Sequence, residues 1–324
     1  TSEPSTTTGE PTTSTTSAST TGEPTSGGSS TSTAPGVAPS VGLVSRWRAE
    51  DLVAAGAVDG AAVSSWADPV SGLVLGQSVA GRRPVLRSSV AELGGRPALE
   101  FSKGVSSSLV ATSGVPSSYL AGVGGATVFV VMVTPPALGS ALSTFFVSTG
   151  SDASNARVLT QVTSSAQSVI GGRRLDGDAF TNVTQSGKST VSASRGYVAT
   201  GVLDFAGARG RDFLDGSLKL DRAFGSPGLS SGTAPLKVAV GVNGSDVAPM
   251  DGLIAEVLVY GSVLSAADRA LVDTYAQDTY GIAVADYAGT TPSPTTSATT
   301  TSTSATSTTS ATSEPSTTTG EPTT

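Results

Sequence analysis

Every aromatic and every basic residue of this 324-residue chain lies between Val41 and Ala288. That confinement limits what can fold. Only a stretch that can bury rings and aliphatic stems offsets the entropy of ordering its backbone, about 1–2 kcal/mol per residue. Residues 1–40 and 289–324 are almost wholly Thr, Ser, Pro, Gly, Ala and Glu, and they are predicted to be disordered linkers that Pro and β-branched Thr bias toward extended forms. The string TSEPSTTTGEPTT stands at both 1–13 and 312–324, and TGEPT recurs at 21–25, as expected of an expanded linker unit. The 36 residues of 289–324 would span about 30–36 Å as coil and about 120 Å stretched. Their Thr/Ser density with Pro is also that of O-glycosylated stalks, an even alternative to a bare spacer. Thr1 is not an initiator Met and no signal peptide follows it, so the expectation is a processed chain or a piece of something longer.

Charge divides along the same lines. The linkers hold Glu3, Glu10, Glu23, Glu314 and Glu321, and the middle holds 20 acids against 18 bases, so −5 and −2 make the net −7. A nearly neutral middle gives no electrostatic case for nucleic acid. With no cysteine and no histidine, disulfides, thiolate or imidazole metal sites, Cys nucleophiles and Ser-His-Asp triads are all excluded. No run of 18 apolar residues occurs, so no membrane insertion is expected. Arginine outnumbers lysine 14 to 4, a composition that points to a GC-rich bacterial or phage genome.

The middle reads as strands. ATVFVVMVT (126–134) is a continuous apolar, β-branched run, the pattern of a strand buried on both faces, and STFFVST (143–149) reads alike. RPVLRSS (83–89) and RPALEFS (96–102) each begin at Arg-Pro, a tolerated place for proline, with Gly94-Gly95 between them. RDFLDGSLKL (211–220) predicts a hairpin turning at Asp215-Gly216. Further strands are expected at 157–163, 167–172, 197–205, 236–242 and 253–260. About ten short strands or more suit a sandwich or jelly roll. One helix is well signalled: Ser265 and Asp268 form a capping box, Ala267, Leu271 and Tyr275 recur every four residues beside Val272 and Ala276, and Gly281 supplies the stop. A short helical turn is expected at 50–56.

Taken in order, LVSRWRAEDL (43–52), VSSWADPVSG (63–72), RPALEFS, GGATVFVVM and LIAEVLVYGSVLSAADRALVDTYAQDTYGI (253–282) resemble the concanavalin A-like, laminin-G-like jelly-roll modules of phage tail and other virion proteins and of bacterial surface proteins. The resemblance covers roughly 41–283. It implies an all-β, two-sheet antiparallel jelly-roll sandwich with one C-terminal α-helix, and it implies no particular activity. The expected organisation is linker 1–40, sandwich 41–288 and linker 289–324.

The chemistry is sparse. A glycanase of this fold class would carry an E-x-D-x-E run, and none of Glu50, Glu92, Glu100 and Glu256 lies in one. Asp176 and Asp178 in RLDGDAF, or Asn243, Asp246 and Asp251 in VNGSDVAPMDG, place oxygen ligands on loops, so calcium is a minority option beside the reading as ordinary turns. No cofactor is otherwise expected. Trp47 and Trp66 are expected in the core, whereas Phe180 and Tyr197 lie nearer to loops. Asn182-Val183-Thr184 and Asn243-Gly244-Ser245 match glycosylation sequons. The candidate ligand-binding set is therefore Asp176, Asp178, Asn182, Tyr197, Asn243, Asp246 and Asp251. The leading expectation is a non-catalytic module displayed on a phage virion or an outer surface, for host attachment or coverage, with a host-surface glycan or other virion proteins as partners. A glycan-binding lectin of a secreted bacterial surface protein is the second reading, and a glycan-cleaving enzyme the third.

Overall fold

A computed structural model describes residues 37–285 apart from 112–113, 139–142, 150–155, 186, 232–236 and 243–247. Of the predicted linkers, residues 1–36 and 289–324 lie outside the described residues, whereas 37–40, expected in the first linker, pack on the sandwich: Ala38 is buried and the Tyr260 hydroxyl donates to Pro39 O at 2.9 Å. In chain order the elements are β1 (Leu43–Arg48), α1 (Ala49–Ala54), β2 (Ser65–Ala67), β3 (Val74–Gly76), β4 (Val85–Val90), β5 (Arg96–Phe101), β6 (Leu109–Ala111), β7 (Gly125–Val133), β8 (Ser143–Thr149), β9 (Ala156–Val162), β10 (Ser168–Gly172), β11 (Thr181–Val183), β12 (Gly196–Asp204), β13 (Arg209–Leu214), β14 (Ser217–Ala223), β15 (Lys237–Val240), β16 (Gly252–Tyr260) and α2 (Ala266–Tyr280). They build two antiparallel eight-stranded sheets. Sheet A runs β14-β13-β12-β7-β16-β5-β4 with β1 also on β16, and sheet B runs β11-β10-β9-β8-β15-β6-β3-β2.

The expected strands all form, and the Asp215-Gly216 turn has φ of 50° and 74°, the paired positive values of a type I′ hairpin. Strands β2, β3, β6 and β11 have three residues each, too few for alternation to be read from sequence. Between the sheets lies a core that includes Trp47, Trp66, Leu99, Val128, Val130, Phe146 and Val257. The other face of sheet A is apolar as well: Phe129, Val131, Leu258 and Tyr260 pack beneath α2 with Val272, Tyr275, Ala276 and Tyr280. Burial on both faces is why β7 has no polar alternation.

Helix α2 begins as expected. Ser265 Oγ accepts from Asp268 N at 3.1 Å and donates to Asp268 Oδ2 at 2.7 Å, and Gly281 closes the helix at φ 67°. Its buried face keeps Val272, Tyr275 and Ala276 of the expected stripe but not Ala267 and Leu271. Ala267 is exposed and Leu271 is 38% exposed, while Val272, Tyr275, Ala276, Thr279 and Tyr280 point inward. The two tyrosines turn the helix to that face because their hydroxyls reach a carboxylate on β16.

That carboxylate is Glu256. Its Oε1 accepts from Arg46 Nε at 2.6 Å, and its Oε2 accepts from Tyr275 and Tyr280 hydroxyls, each at 2.8 Å. Burial first, then the Glu256 charge, pushes the Tyr275 phenol up to about 12. Neighbouring family-like motifs serve the same corner. Arg96 pairs with Glu50 at 2.9 Å and donates to Thr279 O, and Asp68 Oδ1 accepts from Arg46 N at 3.0 Å.

At the β10–β13 side the two sheets approach closely. A Cβ on Gly201 would run into Ile170, and one on Gly210 into Val183, so the sandwich narrows there only because both positions lack a side chain. Asp212, 2% exposed, faces into this narrow space, with Ser168 Oγ at 3.4 Å. Burial, opposed by the Ser189 and Ser168 hydroxyls and the Lys219 charge, pushes its carboxyl up from 3.8 to about 8. Across that interval the folded chain keeps a proton that the unfolded chain has released. Stability therefore falls as pH rises from about 4 to 8. Asp212→Asn is expected to add about 1–3 kcal/mol at pH 8 and little at pH 4. Urea midpoints at the two pH values check this, and an equal shift at both would contradict it.

Candidate functional site

The residues singled out in the sequence do not converge. Loop 173–180 follows β10, whose Gly172 abuts Leu203 near the Gly125 end of β7. Asp251 precedes β16 and Tyr197 is the second residue of β12, and both lie at the Val133 end of β7. Nine residues of strand, about 26 Å, separate the two ends. Asn243 and Asp246 lie outside the described residues.

Each of the others has its own occupation. Asp176 sits 3.6 Å from Arg173, and Asp178 accepts from Leu175 N at 3.1 Å and lies 3.9 Å from Arg174. Asp251 accepts from Lys103 N at 2.9 Å. Tyr197 is a strand residue, 1% exposed, not a loop platform; its hydroxyl accepts from Ser192 N at 2.6 Å under the Arg195 guanidinium, 4.5 Å above its ring. Among the described residues no three acids gather as a metal ion would need. Trp47 and Trp66 are fully buried, as expected. Of the four core glutamates, Glu50 and Glu100 pair with arginines, Glu256 is enclosed with Arg46, and Glu92 is exposed.

A different surface offers unclaimed chemistry. One cross-strand row runs through all eight strands of sheet B: Ser65, Gly76, Val110, Ala239, Val147, Leu159, Gly171 and Asn182. The neighbours Leu75, Leu109, Val238, Val240, Val158 and Ile170 belong to the core, so Gly76, Val110, Ala239, Leu159 and Gly171 face away from it, and at the middle of the row Ala239 and Leu159 are buried in a small apolar cluster against which Val110 and Phe180 pack. Small residues at Gly76, Ala239 and Gly171 keep its floor low. At one end Asn182 and Phe180 close over Gly171, where a Cβ would stand 2.5 Å from Asn182 Oδ1 and 2.7 Å from Phe180 Cζ.

The other end is open. A cleft of about 640 Å³ lies over Gly76 and Val110 and is lined also by Ser64, Gln77, Ser108, Arg82, Arg83 and Lys237, with no carboxylate among its lining residues. Its walls are held by local hydrogen bonds. Gln77 Nε2 donates to Ser108 Oγ at 3.1 Å, Arg83 Nε to Gln77 O at 3.1 Å, and Arg82 Nε to Ser106 O at 3.3 Å. Among the described residues neither guanidinium has an acid partner, whereas Arg87 nearby pairs with Glu100 at 2.5 Å. The two guanidiniums therefore keep N–H groups for an incoming oxygen ligand. Sequence reasoning took Arg83-Pro84 only as a strand start. The available signal was residues 69–91, which hold Arg82, Arg83 and Arg87 and no acid.

No family model and no curated protein matches the chain. Among solved structures it is similar to a Trypanosoma rangeli sialidase in complex with the inhibitor DANA, at 13% identity over 76% of this chain and 34% of that one, with a TM-score of 0.46. It is similar also to the binding domain of Botulinum Neurotoxin DC in complex with SialylT, at 9% identity over 73% and 52%, TM-score 0.46. A heptameric SAP-like pentraxin from Limulus polyphemus matches at 14% identity over 46% and 69%, TM-score 0.35. The chain spans about a third to a half of the length of the first two.

Proposed function

We propose that this chain is a non-catalytic module that binds an acidic saccharide in the Arg82–Arg83 cleft of sheet B while being displayed outside a phage particle or a bacterial cell, in attachment or coverage. The observation that carries the reading is the cleft itself: two guanidiniums without acid partners, Lys237, and amide and hydroxyl groups around a low floor, with no carboxylate in the lining. Fork-shaped donors suit carboxylate or sulfate groups, and Gln and Ser suit sugar hydroxyls. Hydrolysis of a glycosidic bond generally needs two carboxyl groups across the scissile bond, and this cleft offers neither, which supports binding rather than cleavage. The Thr/Ser/Pro-rich flanks support display at a distance from a larger body.

Wild type is expected to bind hexagalacturonate or a sulfated oligosaccharide saturably in calorimetry, without releasing reducing ends. The double substitution Arg82→Ala and Arg83→Ala is expected to weaken binding at least tenfold while the chain stays folded, with thermal stability lowered by the loss of the hydrogen bonds to Ser106 O and Gln77 O, about 0.5–1.5 kcal/mol each. No saturable binding to any acidic oligosaccharide, or affinity within twofold in the double variant, would overturn the site. Mass spectrometry of purified virions and envelope fractions tests the location, and absence from both would remove it.

A further inference from the structure

A second basic cleft, of about 510 Å³, lies at the other sheet and shares no lining residue with the first. It opens between loop 187–195 and the β13–β14 hairpin tip, with Lys188, Arg195 and Lys219 as cations and Asp215 as the one acid in its lining. In a chain of net charge −7 this is a local excess of two positive charges.

The walls are fixed in advance. Thr134 Oγ1 donates to Ser192 O at 2.6 Å, and Ser194 N donates to Pro135 O at 3.2 Å. Ser192 N is held by the buried Tyr197 hydroxyl at 2.6 Å. Asp215 Oδ1 accepts from Val198 N at 2.9 Å and its Oδ2 from Arg195 at 2.8 Å, while Ala285 N donates to Asp215 O. Arg195 is thus clamped between the Tyr197 ring and Asp215, yet its side chain remains 53% exposed. Among the described residues neither Lys188 nor Lys219 has a carboxylate within 4 Å, although the Lys219 charge also acts on Asp215 and on the buried Asp212, so the three cations of the lining still exceed its one acid.

From this geometry we propose that the Lys188–Arg195–Lys219 cleft is a second oxyanion site, which takes a carboxylate or sulfate group of an acidic polysaccharide. Ser192 and Ser217 in the lining suit a hydroxyl-rich chain. The cleft's one aromatic, Tyr197, lies buried under Arg195, leaving no face on which a nucleobase could stack. A preorganised guanidinium loses little freedom on binding, and lysines at its flanks select charge rather than shape.

The test starts from the Arg82→Ala/Arg83→Ala protein, so that failure of the first cleft cannot mask or mimic the second. Amide spectra are followed during titration with hexagalacturonate, sulfated dextran oligomers, neutral dextran and polyglutamate. The expected result is saturable shifts at 187–197 and 214–219 with an acidic saccharide, weakened at least tenfold by adding Lys188→Ala and Lys219→Ala. Absent shifts in these segments, equal shifts with neutral dextran, or affinity within twofold in the added variant would overturn the site. Tighter binding of polyglutamate than of both acidic saccharides would overturn the ligand class.

Discussion

Glu256→Ala is expected to cost about 3–5 kcal/mol of folding stability, the range for breaking a buried charge pair from one side. Glu256 has no exposed surface and serves three donors on two other elements. Its loss strands the Arg46 guanidinium, whose remaining anchor is a 3.0 Å hydrogen bond to the Tyr275 hydroxyl, and it removes the acceptor of two buried phenols. The Arg87–Glu100 pair is an internal control. Both side chains there are more than 40% exposed, so Glu100→Ala should cost under about 1 kcal/mol. Urea unfolding followed by far-UV and near-UV circular dichroism compares the two. Tyr280→Phe should cost about 1 kcal/mol, since it removes one hydrogen bond and keeps the ring, and Tyr275→Phe about 1–3 kcal/mol, since its hydroxyl both donates to Glu256 and accepts from Arg46. If Glu256→Ala fell within 1 kcal/mol of wild type, the network would not be what holds α2 to sheet A.

Trp47→Ala is expected to cost about 3–5 kcal/mol through the cavity it opens. Trp47 on β1 crosses the interior to meet Phe146 of the opposite sheet, ring centroids 6.2 Å apart. Among the described residues the buried indole N–H of Trp47 meets no acceptor, while that of Trp66 donates to Arg48 O at 3.1 Å. The two tryptophans should therefore differ under replacement by phenylalanine. Trp47→Phe loses volume but also removes an unsatisfied donor, whereas Trp66→Phe loses volume and leaves a carbonyl without its partner. Trp66→Phe should be the costlier by about 1–2 kcal/mol. Equal costs in denaturant titrations would contradict the assignment of the hydrogen bonds.

The sandwich was legible because its central strands are unusually plain. β7 and β16 are covered on both faces, so both appear in sequence as largely apolar runs, β16 with Glu256 in its middle, and the hairpin and α2 carry their own turn and cap residues. The buried face of α2 was legible in part: periodicity gave Val272, Tyr275 and Ala276 together with the exposed Ala267 and Leu271, but the acceptor that draws in Tyr275 and Tyr280 lies on another element, at Glu256. The site was hidden for a related reason. Loop acids drew attention to Asp176, Asp178 and Asp251, yet each meets a local arginine or backbone N–H. Arg82, Arg83 and Lys237 come from segments far apart in the chain and meet only because β3, β6 and β15 are neighbours in sheet B. A guanidinium without an acid partner cannot be recognised until the fold shows which acids are out of its reach.

The most direct measurement is a map of backbone amide shifts on wild-type protein during titration with hexagalacturonate and a sulfated oligosaccharide. Saturable shifts clustered at 76–83 and 108–110 and around Lys237, with neutral oligosaccharides silent, are the predicted result. A flat titration, or one that moves only loop 173–180 and the residues around Asp251, would contradict it.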